Sequence, residues 1–345
     1  MLREEQVSRE VDYIMQSDKI KVVSVGTTAR LLADFLVLPR REYMQFACIN
    51  FLVSNQVDAA YCLDQADGIA DYILVDVEAK QDVKLMDIAV KHVSKSTLVS
   101  FKPNDASVEA ADLLIRQHFH EDLTGRRILI LGAGNISSKL ALRFCERNAH
   151  VELHARNYSK VKMITDGLNA ILPKYSGHRI EPIERVGRER GYYDGIVSFI
   201  AADQIADKQI AEMLHAGGIA VDGGINNFTP EFIEECQSQG ITCNRLDVRL
   251  GFIYSLLSLG HDVHNFYTNV RGERYVDHNR LIAGGIIGRR GDVIVDRMVH
   301  PSQIIGIANG VGGVLSPCEY TNEEHGMLDE LEEKLFGEQK HIHYK

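Results

Sequence analysis

Hydrophobic residues in the first third of the chain fall into short apolar runs, and segments with helical spacing separate these runs. The apolar runs predict buried strands over residues 20–25, 59–63, 72–77 and 97–101. The other segments predict helices over residues 29–53, 81–94 and 107–118. Strands that alternate with helices indicate an α/β domain with a parallel sheet.

The same alternation continues through the middle of the chain. Apolar runs predict strands over residues 127–131, 150–155, 194–199 and 218–222. Helical spacing predicts helices over residues 135–147, 159–172 and 205–215. The order of these elements predicts a doubly wound α/β domain, in which helices cover both faces of a parallel sheet.

The pattern changes in the last hundred residues. A predicted helix over residues 251–259 is followed by two apolar runs, 281–288 and 293–295, and the polar segment between these runs predicts a β-hairpin. A glycine-rich stretch covers residues 304–314, and the charged residues at the C-terminus predict a final helix. Because a second subunit often covers an exposed apolar hairpin, we expect a homodimer.

These patterns divide the chain into three parts. Residues 1–120 are expected to form an N-terminal α/β domain, and residues 121–245 the doubly wound domain. Residues 246–345 are expected to form a C-terminal extension that contains the hairpin. A chain of 345 residues is long enough for two domains, each with its own core.

Composition and charge exclude several classes of protein. The 38 basic and 48 acidic residues give a formal net charge of −10 without a long basic run, so nucleic acid is not an expected partner. No apolar run approaches the roughly 18 residues of a membrane span and the N-terminus is charged, so we expect a cytoplasmic protein with no membrane partner. The six cysteines form no C-x-x-C pair, and His261 and His264 have no third ligand nearby, so no metal site is expected.

A glycine motif opens the middle domain. The apolar run 128–131 leads into Gly132-Ala133-Gly134-Asn135-Ile136-Ser137, and a helical pattern follows. A dinucleotide pyrophosphate requires a tight glycine turn, backbone N–H groups that point at it and the positive end of a helix. Ser137 replaces the third glycine of the G-x-G-x-x-G pattern with another small residue. The motif predicts a Rossmann domain that binds a dinucleotide through Gly132, Ala133, Gly134, Asn135 and Ile136.

The end of the next strand predicts which dinucleotide is bound. NAD-binding domains place a carboxylate there against the ribose 2′-hydroxyl, whereas NADP-binding domains place an arginine against the 2′-phosphate. Glu152 lies within the predicted strand, while Arg156 lies at its tip and is followed by Asn157, Ser159 and Lys160. NADP is therefore the expected cofactor, with NAD as the alternative.

Two stretches of the sequence resemble known enzyme families. Phe101-Lys102-Pro103-Asn104-Asp105, together with the Gly132 motif and Ala155-Arg156-Asn157, resembles the shikimate/quinate dehydrogenase family. The stretch Ala220-Val221-Asp222-Gly223-Gly224-Ile225-Asn226 is similar to a motif of methylenetetrahydrofolate dehydrogenase/cyclohydrolase. The resemblance is to the superfamily that contains both. It implies an N-terminal catalytic α/β domain, a Rossmann domain and a C-terminal helix that returns to the first domain.

The resemblance also implies a set of catalytic and binding residues. Lys80 and Asp105 match by position the lysine and aspartate that flank the substrate hydroxyl in shikimate dehydrogenases, and Lys102 is a second candidate lysine. Asn104 and Asp105 are the candidate substrate-binding residues. The residues expected near the nicotinamide end of the cofactor are Asp222, Gly223 and Gly224. Plainer interpretations remain: a solvated lysine for Lys80, a helix cap for Asp105 and a simple turn after a strand for the last three.

Taken together, these features predict an NADP-dependent oxidoreductase that acts on a small polar hydroxy, keto or imine metabolite. The substrate is expected in the cleft between the first two domains. Two alternatives remain open at this point. One is a lyase or epimerase that retains NAD(P) without net redox, and the other is a non-enzymatic nucleotide sensor.

Overall fold

The computed structural model of the protein describes residues 3–29 and 34–337. The chain divides into two compact units, residues 1–256 and residues 257–345. The first unit contains two sheets, and the second contains one smaller sheet. Within the described residues, no helix combines the length and apolar character that a membrane crossing needs.

The first sheet of the larger unit has five strands in the order β2-β3-β1-β4-β5. Its strands are β1 (Ile20–Gly26), β2 (Phe35–Glu42), β3 (Phe46–Val53), β4 (Tyr72–Asp76) and β5 (Thr97–Phe101). Its helices are α1 (Arg3–Met15), α2 (Gln56–Ala66), α3 (Leu85–His92) and α4 (Pro103–His118). Only the edge strand β2 runs antiparallel to its neighbour; the other pairs are parallel.

Two predictions for this region are wrong. Residues 29–53 were predicted as a helix, but they contain β2 and β3, and residues 30–33 lie outside the described part of the chain. Because β3 lies between two strands and nearly all of its residues are buried, it lacks the alternation that usually indicates a strand. Residues 59–63, predicted as a strand, belong to α2, whose buried residues recur at helical spacing: Ala59, Cys62, Leu63 and Ala66.

The second sheet has six parallel strands in the order β11-β10-β9-β6-β7-β8. Its strands are β6 (Arg127–Leu131), β7 (His150–His154), β8 (Ile180–Ile183), β9 (Tyr193–Ser198), β10 (Leu214–Asp222) and β11 (Thr242–Arg245). Its helices are α5 (Asn135–Glu146), α6 (Tyr158–Ala170), α7 (Lys208–Glu212) and α8 (Pro230–Ser238). The strand order reverses between β6 and β9, where ligands bind in sheets of this type. The predicted doubly wound fold is confirmed.

Helix α9 (Arg249–Leu257) follows the second sheet and packs on the first domain. A side chain at Gly251 would lie 1.9 Å from the carbonyl oxygen of Ala106, so α9 and α4 approach each other at this glycine. The ring of Phe252 contacts that of Phe101 edge to face, with centroids 5.4 Å apart. The helix that follows the second sheet in the chain therefore packs against elements of the first sheet.

The smaller unit contains a four-stranded sheet in the order β12-β13-β14-β15. Its elements are α10 (His261–Asn265), a π-helical turn (Phe266–Val270), β12 (Gly272–Val276), β13 (Asn279–Ala283), β14 (Val293–Val295), β15 (Ile304–Ile307), a 3₁₀ turn (Pro317–Glu319) and α11 (Asn322–Phe336). The core includes Leu281 and Val293 from the sheet and Leu331 from α11.

The predicted hairpin of residues 281–288 with residues 293–295 is wrong. Strands β13 and β14 run parallel, and the antiparallel partner of β13 is β12. Gly284 and Gly285 end β13 with φ angles of +66° and +81°, and the chain then crosses back before β14 begins. The predicted C-terminal helix corresponds to α11.

Candidate active site

Two adjoining spaces lie at the carboxyl ends of the strands in the larger unit. A cavity of about 370 Å³ is lined by residues of both sheets, and a groove of about 1100 Å³ follows the edge of the second sheet. Both spaces are lined by Phe199, Ile200 and Ala201, which we call the shared wall. The described residues contain no group of three or more His, Cys, Asp or Glu side chains that could hold a metal ion.

The glycine loop at the start of α5 has the geometry that the motif predicts. Gly132 has a φ of +115°, and a Cβ atom there would lie 2.6 Å from the carbonyl oxygen of Phe199, so only glycine fits. The hydroxyl oxygen of Ser137 would lie 3.0 Å from the same Cβ position, and this serine is fully buried. Ser137 thus takes the place of the third glycine in close helix packing.

Gly134 differs from Gly132, because packing within the protein does not require it to be glycine. Its φ is −99°, and no heavy atom lies within 4 Å of the position that a Cβ would take. It stands at the N-cap of α5, and because glycine has no side chain it cannot cap the N–H groups of the first turn. These N–H groups are available to an anion that approaches along the groove.

Three cations line the groove beyond the glycine loop. They are Arg156 and Lys160, which the sequence predicted, and Arg185, which it did not. None of the three forms an ion pair with a carboxylate of the described residues. Arg185 follows β8, the neighbour of β7, so only the sheet pairing brings it to the groove. Glu184 also lines the groove, so the three cations outnumber this one carboxylate and leave a net positive lining that suits a phosphate group.

Asn157, Ser159 and Glu152 were considered together with Arg156 in the sequence analysis, but their side chains have other environments in the structure. The side chain of Asn157 accepts a hydrogen bond from the N–H of Lys160 at 3.0 Å and so caps α6. Ser159 is exposed and does not line the groove. Glu152 is buried, with its oxygens 2.5 Å from the guanidinium of Arg188 and 2.5 Å from the hydroxyl of Tyr193. The carboxylate of Glu152 on β7 is therefore already bound within the protein.

Lys80 lies in the cavity and is held by two carboxylates. Its Nζ atom is 3.0 Å from Oδ2 of Asp76, at the end of β4, and 2.9 Å from Oε2 of Glu78. The Lys80 side chain is 12% exposed, and that of Asp76 is fully buried. Asp76 also accepts a 3.0 Å hydrogen bond from the N–H of Thr27, at the end of β1. The ammonium group is thus bound by two carboxylates, fixed in position and open to the cavity.

Glu78 connects Lys80 to a second predicted residue. Its Oε2 atom accepts a 2.8 Å hydrogen bond from the backbone N–H of Asn104, which also lines the cavity. Between Glu78 and Lys80, Ala79 has a φ of +47°, a conformation that turns the chain sharply. The sequence analysis did not select Glu78, although its position just after a predicted strand and two residues before Lys80 could have indicated that it pairs with this lysine.

Lys102 and Asp105 form a separate cluster at the start of α4. Asp105 contacts Nζ of Lys102 at 2.7 Å and is also bound by Lys139 of α5. Burial alone would raise the pKa of Asp105, but the two lysines lower it below its usual value. Neither Lys102 nor Asp105 lines the cavity. The residue at the N-cap of α4 is Lys102, so Asp105 is not the N-cap residue that the sequence analysis also considered. Of the predicted catalytic and substrate-binding residues, Lys80 and Asn104 line the cavity together, whereas Lys102 and Asp105 lie outside it.

The loop after β10 is shaped by Asp222. Its two carboxylate oxygens accept hydrogen bonds of 3.0 Å from the N–H groups of Gly224 and Asn227. A Cβ on Gly223 would overlap the ring of Phe199 at 2.1 Å, so the loop packs directly on the shared wall. Gly223 and Gly224 line the cavity, whereas the carboxylate of Asp222 holds the loop.

Asn227, which sequence reasoning missed, fixes the shared wall. It is fully buried, and its Oδ1 atom accepts a 2.7 Å hydrogen bond from Ser198 and one of 3.1 Å from the N–H of Ile200. Its Nδ2 group donates to the carbonyl oxygens of Ile200 and Ala202 at 2.9 and 2.7 Å. A single side chain thus holds the backbone between the two spaces.

Comparisons with known proteins were made by sequence and by structure. No family model matches the chain. No curated protein sequence matches it either.

Solved structures do match the chain. One is 5-ketofructose reductase from Gluconobacter, with 13% identity and a TM-score of 0.43, covering 71% of this chain and 95% of that one. Another is L-tryptophan dehydrogenase from Nostoc punctiforme, with 9% identity and a TM-score of 0.45, covering 72% and 77%. A third is a shikimate dehydrogenase in complex with NADP⁺, with 11% identity and a TM-score of 0.43, covering 70% and 91%. At these values the function must be argued from the site.

Proposed function

We propose that this protein is an NADP-preferring oxidoreductase that transfers hydride between the nicotinamide and a small polar hydroxy, keto or imine metabolite. One observation carries the proposal: the groove of the glycine loop and the cavity of Lys80 share the wall formed by Phe199, Ile200 and Ala201. A dinucleotide that lies in the groove with its pyrophosphate at Gly132 would reach the cavity at this wall.

The groove fits the cofactor at two places. The open N–H groups at the start of α5, beside Gly134, would hold the pyrophosphate. Arg156, Lys160 and Arg185 would hold the 2′-phosphate that distinguishes NADP from NAD. Since the pyrophosphate site serves both cofactors, NAD would bind as well, but more weakly.

Lys80 would move the proton that accompanies hydride transfer. When bound, NADPH supplies a hydride to the carbonyl carbon of the substrate. The Lys80 ammonium donates a proton to the carbonyl oxygen in the same reduction, which yields the alcohol. In the reverse direction, the neutral amine takes the hydroxyl proton. Asp76 and Glu78 orient Nζ toward the cavity, and Asn104 contacts the substrate beside it.

The proposal is tested by cofactor binding and turnover. Fluorescence titration with NADPH and NADH is expected to show about tenfold tighter binding of NADPH, because the three cations that line the groove would bind the 2′-phosphate that NADH lacks. A panel of small aldehydes, ketones and imines is then screened for NADPH oxidation at 340 nm. Tight NADP retention without net oxidation, while a substrate is converted, would instead support the redox-neutral lyase or epimerase.

A further inference from the structure

One cation of the cavity has no role in the reaction proposed above. Arg41 lies on the edge strand β2, just beyond the point where the pairing with β3 becomes irregular. Pro39, which lacks an N–H group, lies in this irregular stretch, and its carbonyl oxygen accepts a 3.3 Å hydrogen bond from Asn50. The Arg41 guanidinium lies over the ring of Phe252, with Cζ 4.7 Å from the centroid.

Arg41 has no anionic partner within the described residues. It forms no ion pair and donates no hydrogen bond there, and burial lowers its pKa. The charge of Asp247 opposes this lowering of the Arg41 pKa, but the carboxylate of Asp247 is bound to Arg249 at 2.7 Å. Tyr43 and Cys48 also face Arg41, and burial raises the pKa of each to about 12, so both are neutral at pH 7.

The surroundings of Arg41 indicate the chemistry of its missing partner. A partly buried guanidinium without a counterion is unfavourable unless a ligand provides one. The cavity is otherwise lined mainly by apolar side chains, which include Leu38, Phe51, Leu52, Phe101, Val248 and Phe252. The planar guanidinium matches a carboxylate with two parallel hydrogen bonds. Lys80 is already bound by two carboxylates, so among the described residues that line the cavity Arg41 is the one cation left for an anionic ligand, which favours a singly charged carboxylate over a dianionic phosphate ester.

We propose that Arg41 binds the carboxylate of the substrate, so that the substrate is a hydroxy or keto acid. The part of this statement that concerns the reaction rests on the proposed oxidoreductase function, whereas carboxylate binding does not. The apolar wall holds the carbon skeleton, and the reacting carbon lies beside Lys80.

Carboxylate recognition is tested with benzoate and its neutral isostere benzamide as probes. Isothermal titration calorimetry of the full chain at pH 7, with and without NADP⁺, is expected to show at least tenfold tighter binding of benzoate, because one charged hydrogen-bonded pair has about that effect. Arg41→Gln should remove this preference and leave benzamide affinity unchanged. Arg41→Lys should restore part of it.

The matched control is Arg190→Gln, which removes an arginine that is 66% exposed and paired with Glu235 outside both spaces. It should keep the benzoate preference. Circular dichroism and thermal unfolding of each variant report whether the fold is intact. The proposal is overturned if the protein shows no measurable preference for benzoate over benzamide, if the preference survives in Arg41→Gln, or if inorganic phosphate displaces bound benzoate at concentrations below the Kd of benzoate. No turnover is measured, so failure of the oxidoreductase proposal would not produce these results.

Discussion

The three cations of the groove and Lys80 of the cavity have opposite environments. In the groove, Arg156, Lys160 and Arg185 have no carboxylate partner among the described residues. In the cavity, Lys80 is held by two carboxylates, Asp76 and Glu78. Unpaired cations suit a site that binds an anionic ligand, whereas a paired and buried lysine suits a group whose position and proton matter more than its charge. Substitution of a groove cation should therefore change the affinity for the cofactor, whereas substitution of Lys80 should change kcat.

The largest expected effect is on turnover after Lys80→Met. Loss of the proton donor should lower kcat by about 10²- to 10⁴-fold. Because Lys80 lies in the cavity and not in the groove, the Kd for NADPH should change less than about twofold. Steady-state kinetics at 340 nm and fluorescence titration measure the two quantities. Lys102→Met is the control, since Lys102 is exposed and outside the cavity, and an equal loss in both variants would contradict the assignment.

The next largest effect separates the two glycines of the loop. Gly132→Ala places a Cβ 2.6 Å from the Phe199 carbonyl at a φ of +115°, so the free energy of unfolding should fall by about 2 kcal/mol. Gly134→Ala meets no protein atom, and its stability should change by less than about 0.5 kcal/mol. Both variants should bind NADPH more weakly. Equal stability of the two variants in urea unfolding would show that the loop geometry is different.

Arg156→Gln should alter cofactor preference more modestly. Removal of one charged partner of the 2′-phosphate is expected to weaken NADPH binding about tenfold, or about 1.4 kcal/mol, while NADH binding stays within twofold. Parallel fluorescence titrations measure both. Arg188→Gln is a poor control because Arg188 neutralises Glu152, so the exposed Arg190→Gln is preferred. If the affinity for NADH fell by the same factor as that for NADPH, Arg156 would bind a phosphate that both cofactors share and not the 2′-phosphate.

The smallest effect is expected for Asp105→Asn. Because Asp105 binds two lysines away from the cavity lining, kcat should change less than about threefold, and stability by no more than about 1 kcal/mol. Kinetics and urea unfolding measure the two. A large fall in kcat with unchanged stability would restore the role that the sequence resemblance implied for this residue.

The second sheet shows both where sequence reasoning works well and what it misses, because β6 and β7 were predicted whereas β8 and β11 were not. Strands such as β6 and β7 are short apolar runs bounded by glycine or polar residues, and their predicted limits match within one residue. The first sheet shows where it fails. β3 has no alternating pattern because it is buried on both sides, and the buried residues of α2 include a short run that resembles a strand. Sequence periodicity cannot distinguish these cases without the neighbouring elements.

The candidate site divides in the same way. Gly132, Arg156 and Lys80 were predictable because each belongs to a local motif or a strand exit. Arg185 and Asn227 were not, since strand pairing and loop packing alone bring them to the site. Long-range contacts of this kind leave no periodic signal in the sequence.

The backbone of Phe199–Ala201 borders both the groove and the cavity, which are the proposed sites of the nucleotide and the substrate. Because Asn227 already holds this backbone, ligands in the two spaces would contact opposite sides of one fixed wall. If both ligands bind as proposed, any effect of one on the affinity of the other would have to be the same factor in both directions. An ordered kinetic mechanism, in which the nucleotide enters first and leaves last, would be the steady-state expression of this linkage.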